Sequence, residues 1–185
     1  EALDARRQRE GFGYAAHVAF DAGEQQSIWK LRKAGLGLLL GMKGDKKPIA
    51  FVEDTAVDPK HLARFVPRFR DIFARHDVTG AYYGHCSVGC LHIRPFLDVT
   101  DPAQRQTMRE VAEEIKDLVT EYGGVNSSEH GDGLARSEFN RELFGDELYG
   151  AMRRVKGLFD PEGRLNPGKI VDSPSMTEHL RDANP

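Results

Sequence analysis

The sequence predicts an α+β domain: a ferredoxin-like antiparallel sheet with helices on one face, followed by a C-terminal helical and turn-rich tail. Three observations lead there. Strand and helix patterns are interspersed along the chain. The strand-like runs Gly80–Cys86 and Cys90–Pro95 are separated only by Ser87-Val88-Gly89, and so short a link joins antiparallel strands. Residues 62–73 and 108–122 carry apolar stripes at helical spacing, each fit to cover one sheet face.

In chain order, Glu1–Arg9 reads as a helix ended by Gly11 and Gly13, and Tyr14–Phe20 as a short strand. Residues 24–40 form a helix bearing Ile28, Leu31, Leu38 and Leu39, and Ile49–Glu53 a strand. Asp58-Pro59 is an N-cap followed by proline, opening a helix whose buried face is Leu62, Phe65, Val66, Phe69, Ile72 and Phe73. Asp101-Pro102 opens the strongest helix, with Met108, Val111, Ala112, Ile115, Leu118, Val119 and Tyr122 in one stripe that Gly123-Gly124 ends. A short strand near Val125 leads into the loop Ser127–Gly133, and a last helix spans about 146–159. Residues 1–135 thus read as the α+β domain, and 136–185 as its tail, with ordered turns and contacts elsewhere. The chain opens at Glu1, without methionine and already in a helical pattern, so a fragment of something longer is expected.

Composition narrows the class. The chain has 185 residues, 39% hydrophobic and 30% charged, which suits one soluble globular domain. A net charge of −3 gives no broad attraction to nucleic acid or anionic membrane, and no apolar run approaches transmembrane length. Two cysteines four positions apart, Cys86 and Cys90, make no disulfide framework, and a cytoplasmic location is expected.

The chemistry concentrates in Tyr83–Pro95. If the hairpin turns symmetrically about Val88-Gly89, Cys86 faces Leu91 and His85 faces His92. Directly opposed residues share a face, with Cβ atoms about 4.5 Å to about 5.5 Å apart. Two imidazoles so placed can grip one divalent ion. Cys86 then points away, as a small core residue, and Cys90 shares the histidine face. The second element, Ser128-Glu129-His130-Gly131-Asp132-Gly133, sets a carboxylate beside an imidazole among glycines that allow close approach of a ligand. His85, His92 and Glu129 together form a two-histidine, one-carboxylate set for a divalent metal, with open positions. His130 is left as a general base. His17, His61, His76 and His179 read as surface or packing residues. The same set would serve a metal-dependent hydrolase, or a non-catalytic metal-binding module.

These elements resemble the FAD-linked oxidase C-terminal domain, whose members include D-lactate, glycolate and D-2-hydroxyglutarate dehydrogenases and oxidases. That family's pattern is Gly-His-x-Gly-Asp-Gly-Asn-x-His, then Gly-Glu-His-Gly-x-Gly, then Phe-Asp-Pro-x-x-x-x-Asn-Pro-Gly-Lys. Residues 84–92, 128–133 and 159–169 match it in order, and the runs Trp29–Lys33 and Phe51–Val57 extend the likeness. Here Ser87 replaces a Gly, Val88 and Cys90 replace the Asp and Asn, and Ser128 stands for a Gly. This variant is most similar to large bacterial members fused to an iron–sulfur region.

The resemblance implies an FAD-dependent dehydrogenase that oxidises a D-2-hydroxyacid to the 2-oxoacid, of which this chain is the substrate-capping domain. It implies that the metal held by His85, His92 and Glu129 is zinc, that Arg32 pairs with the substrate carboxylate, and that Asn166 and Lys169 lie near the flavin. FAD is then held mostly by a separate domain of the same polypeptide, on which 136–185 would pack. No Gly-x-Gly-x-x-Gly or P-loop occurs in these residues. An iron–sulfur region or other electron-transfer partner, and a membrane-peripheral site of action, complete what the likeness implies.

Overall fold

The computed structural model describes residues 2–180 and divides into two compact units, one ending at Met42 and one beginning at Lys43. Glu1 of the expected first helix and residues 181–185 of the expected tail lie outside the described residues. The first unit holds two helices. Helix α1 (Ala2–Glu10) carries the exposed pair Arg6–Glu10 at 3.0 Å, one turn apart. Helix α2 (Ala22–Leu40) is capped by Asp21, whose carboxylate accepts from the Gly23 and Glu24 amides at 2.8 and 3.1 Å. The strand expected at Tyr14–Phe20 is absent: among the described residues the segment pairs with no strand. A strand needs an edge to bond to, and this unit offers only helices.

The second unit carries the sheet. Strands β1 (Lys47–Pro48) and β2 (Thr55–Ala56) lie along one side of the central strand β4 (Cys90–Leu97), and β3 (Gly80–His85) lies along the other. Val125 bridges Ala56 beyond β2. With α3 (Leu62–Arg75) before the hairpin and α4 (Pro102–Glu121) after it, the order is β-α-β-β-α-β, the ferredoxin-like arrangement. Asp58 caps the short 3₁₀ turn before α3, and Asp101 caps α4.

Alternation along β4 divides the sheet into two faces. Leu91 and Ile93 point to the helices, where Phe65, Phe69 and Phe73 of α3 meet Met108, Val111, Ile115 and Leu118 of α4. Cys90, His92 and Arg94 point the other way, to the side reached by the loop after Val125. Beyond that loop come α5 (Gly133–Arg136) and α6 (Asn140–Phe159), the latter broken at Gly145 by φ 76° and ψ 165°. Phe139 and Met176 from this tail join the core.

Two expectations are corrected. The strand predicted over Ile49–Glu53 does not form: these residues link β1 to β2, because residues 51–54 turn out of line, with Asp54 at φ 81°. The hairpin register also differs: His85 pairs with Cys90 and Tyr83 with His92, across a four-residue link containing a 3₁₀ turn over Cys86–Val88. His85 and His92 are therefore diagonal neighbours and not opposed. A shift of two residues keeps the side-chain parity, so both imidazoles still share a face. Cys86 lies in the turn and is exposed, so it is no core residue.

The longer link is set by Gly89, whose φ of 76° favours glycine. It packs so closely on the preceding segment that a Cβ there would sit 1.8 Å from the Val57 carbonyl oxygen. Val57 N donates to Gly89 O at 3.2 Å. Gly89→Ala should therefore lower stability by about 2 kcal/mol or more, read as a shifted urea midpoint, with a loss well below that refuting this packing.

Candidate functional site

The site is built on the helix-free face of the hairpin. His85 ends β3, His92 lies within β4, and their rings meet edge-on with centroids 5.1 Å apart. Against them rests the loop Ser127–Gly133. Glu129 Oε1 lies 3.6 Å from His85 Nε2, 3.0 Å from His92 Nε2 and 3.3 Å from His130 Nε2. One carboxylate oxygen is thus the meeting point of three imidazole nitrogens. His130 also stacks on His92, at 4.9 Å and an interplanar angle of 7°.

A loop with this curvature needs its backbone N–H groups satisfied, and Asp54 does this. Its carboxylate accepts from the amides of Ser128 (2.9 Å), Glu129 (3.1 Å) and His130 (2.9 Å), and from the Ser127 and Ser128 hydroxyls at 2.8 Å each. Asp54 is completely buried. Burial alone would raise its pKa, but the donors of His130, Ser127, Glu129 and Ser128 prevail and hold it at about 2. Arg136, also buried, donates to Ala50 O, Glu53 O and Gly131 O at 3.3, 2.8 and 2.6 Å, tying the 50–53 turn to the same loop.

Exposure sorts the four central groups. His85, Glu129 and His130 are about half exposed, while the His92 side chain is 4% exposed. Burial lowers the pKa of His92, so its imidazole is held neutral, as a metal ligand must be. Cys90 lies beneath the cluster, with Sγ 3.8 Å from His92 Nε2 and 3.1 Å from Ser128 Oγ. Burial raises its thiol pKa and favours the protonated form.

Donor chemistry bears on what could be held here. Ligand-type atoms of Asp54, Cys90, His92 and Glu129 lie within 4.8 Å of one another, and so do those of Glu53, His92 and His130. Asp54 is already engaged by five N–H and O–H donors, which leaves it little capacity for a cation. The expected ligands are His85, His92 and Glu129, of which His85 belongs to neither set. Their N···O separations are 3.6 Å from His85 and 3.0 Å from His92. Tetrahedral nitrogen and oxygen ligands of a zinc ion stand roughly 3.3 Å apart, between those two values. His92 and Glu129 fit such an ion.

The structure therefore brings His85, His92, Glu129 and His130 together. Arg32 is an exposed residue of α2, in the unit ending at Met42. Asn166 is exposed in the tail at φ 48°, and Lys169 Nζ donates to Pro167 O at 3.0 Å. Of the remaining histidines, His76 pairs with Glu114 at 2.6 Å and His61 stacks edge-on against Tyr122, so both are packing residues. The sequence reading missed Asp54 and Arg136. The signal for Asp54 was an acidic pair inside an apolar run, Phe51-Val52-Glu53-Asp54. Arg136 carried none.

A ferredoxin-like sheet with a histidine–carboxylate cluster on its helix-free face defines the class of α+β domain. Comparison with known proteins makes this specific: residues 2–170 match the family model for FAD linked oxidases, C-terminal domain, and the chain belongs to that family. It is similar to D-2-hydroxyglutarate dehydrogenase of Escherichia coli (strain K12), 42% identical over 156 residues, covering 82% of this chain and 15% of that protein. The protein of the same name from Pantoea ananatis is 41% identical over 163 residues, covering 88% and 16%. D-lactate dehydrogenase of Archaeoglobus fulgidus is 31% identical over 172 residues, covering 92% and 37%. The chain thus spans about one-sixth of the length of the first two relatives.

Because Asp54 is held at about 2 in the folded protein against 3.8 ordinarily, its ionisation contributes stability that is complete above about pH 5 and lost as pH falls towards 2. That contribution is roughly 2 kcal/mol. Asp54→Asn should cost about 2 to about 4 kcal/mol at neutral pH and flatten the acid limb of a plot of stability against pH. An unchanged acid limb in urea titrations across the acid range would show that Asp54 does not anchor the loop.

Proposed function

We propose that this chain is the substrate-side domain of an FAD-dependent dehydrogenase that oxidises a D-2-hydroxyacid to a 2-oxoacid. Convergence of three imidazoles and Glu129 on one oxygen position carries this reading. Higher identity to D-2-hydroxyglutarate dehydrogenases than to a D-lactate dehydrogenase favours a dicarboxylic substrate. In this reading residues 1–135 form the substrate-capping domain, and 136–185 are its tail, packing on an FAD-binding domain elsewhere in the polypeptide. Exposed Leu148, Val155, Leu158 and Phe159 on α6 are consistent with such a neighbour.

The residues divide the work by chemistry. His85, His92 and Glu129 would hold a divalent ion, zinc by its preference for this donor set. Such an ion supplies positive charge that makes an adjacent hydroxyl more acidic. His130, half exposed beside these ligands, takes the proton from the substrate's 2-hydroxyl. FAD, held by the rest of the polypeptide, supplies the two-electron acceptor for the hydrogen at C2. Arg32 would pair with a substrate carboxylate, since its guanidinium fork matches one. Asn166 and Lys169 would lie near the flavin. Burial of His92 keeps one ligand neutral and dry, while the half-exposed groups leave the substrate a way in.

No helix among the described residues is long and apolar enough to cross a membrane. A cytoplasmic enzyme, working at the membrane surface or passing electrons to an iron–sulfur region, accords with that.

The test is turnover of D-2-hydroxyglutarate, D-lactate and glycolate by the full-length protein with a dye acceptor. His130→Ala should lower kcat by about 10²–10⁴-fold. Glu129→Gln should lower metal affinity at least about tenfold, measured as bound zinc after dialysis. Full turnover by the His130 variant, or zinc retained equally by both proteins, would refute these assignments.

A further inference from the structure

We propose that Glu53, gripped by Arg94, is the positioning residue that fixes the ring orientation and tautomer of His130. The inference rests on the reading of His130 as proton acceptor, and it concerns a residue outside the histidine–carboxylate set.

Glu53 Oε1 lies 3.1 Å from His130 Nδ1. Its other oxygen, Oε2, forms an ion pair with the Arg94 guanidinium. The Glu53 side chain is 4% exposed, and that of Arg94 12%. Taking a carboxylate this far out of water costs several kcal/mol unless both oxygens are engaged. Here one oxygen faces a cation and the other an imidazole nitrogen. A bidentate pair brings both carboxylate oxygens to the arginine. The exposed Arg68–Glu121 pair does so, at 2.7 Å through Nη2 and by a shorter contact through Nη1.

The geometry acts on His130 from three directions. Asp54 accepts from the His130 backbone amide at 2.9 Å, so the two adjacent carboxylates hold one residue by its main chain and its side chain. The parallel His92 ring sets the plane of the imidazole. Arg136 in turn donates to the Glu53 carbonyl at 2.8 Å, fixing the backbone from which Glu53 projects. A carboxylate faces each ring nitrogen, Glu53 Oε1 at 3.1 Å from Nδ1 and Glu129 Oε1 at 3.3 Å from Nε2. The nearer and buried one, Glu53, takes the proton-bearing nitrogen, Nδ1, and Nε2 is left as the proton acceptor. A half-exposed histidine would otherwise sample both tautomers and several χ2 values.

Two substitutions in the full-length protein separate this role from a structural one. Glu53→Asp keeps the charge for Arg94 but withdraws the carboxylate from Nδ1 by about one bond length. Glu53→Gln keeps an oxygen within reach of Nδ1. With D-2-hydroxyglutarate and a dye acceptor, Glu53→Asp should lower kcat by about 10²-fold, leaving KM within about threefold and bound zinc unchanged. Glu53→Gln should stay within about tenfold of the parent kcat. Nitrogen-15 spectra of histidine-labelled protein, with the His130 signal identified by its loss in His130→Asn, should show one Nδ1–H tautomer in the parent and a mixture in Glu53→Asp. The proposal is overturned if Glu53→Asp leaves the tautomer unchanged, or if kcat, KM and bound zinc decline together. If the parent protein oxidises no 2-hydroxyacid, the proposed function fails, while the spectra still decide the role of Glu53.

Discussion

A single buried carboxylate organises the working end of this domain. Asp54 has no exposed surface, and in place of lost hydration it receives three backbone amides and two hydroxyls from the Ser127–His130 segment. Charge-assisted bonds of this kind are about twice as strong as neutral ones, and several converging on one ion offset its desolvation. The donors come from a loop 73 to 76 residues away in sequence. Fixing that loop fixes Glu129 and His130, whose side chains leave the same short stretch of backbone. The absence of a strand over residues 49–53 follows from the same constraint, for Asp54 turns inward where residues 51–54 depart from the sheet line.

The central strand then couples stability to chemistry. Each second residue of β4 belongs to the core and the alternate ones to the site: Leu91 and Ile93 on one side, Cys90, His92 and Arg94 on the other. The aromatic packing of α3 and α4 seats the sheet against the helices, so the opposite face is presented as a rigid platform. On that platform the charges are arranged with little redundancy. Glu53 divides its oxygens between Arg94 and His130, and Glu129 meets three imidazoles. Sites built on strands hold side chains more closely than sites on loops, and here the one contributing loop is tied down by a buried ion.

The parts legible in the sequence are those with a local period or a local cap. The stripes of α3 and α4, the caps at Asp58 and Asp101, and the glycine stop after Tyr122 each depend on residues within a turn or two. The hairpin was legible as a pair of strands, but its register was not. The choice between a two-residue and a four-residue link depends on the contact of Gly89 with Val57, far back along the chain. The site survived that error because strand periodicity is two: a slip of two residues moved His85 along the face without turning it away. Asp54 and Arg136 escaped because a carboxylate or guanidinium that serves distant backbone groups leaves no spacing in its own neighbourhood.

The same geometry explains how this chain accommodates its departures from the family pattern. Cys90 stands where that pattern has Asn, and Ser128 where it has Gly, positions 38 residues apart that sequence alone treats as independent. In the structure they touch, with Ser128 Oγ 3.1 Å from Cys90 Sγ, and both face Asp54. A thiol is smaller than a carboxamide and a poor donor, and here it lies 3.8 Å from the Asp54 carboxylate. The Ser128 hydroxyl, which glycine lacks, supplies a strong donor to that same oxygen at 2.8 Å. A strong donor from one position thus stands beside a weak one from the other, both on the same buried carboxylate oxygen. Because Cys90 also lies 3.8 Å from His92 Nε2, the two departures meet at the floor of the site, where the buried ion that holds the loop and the buried imidazole of the cluster come together.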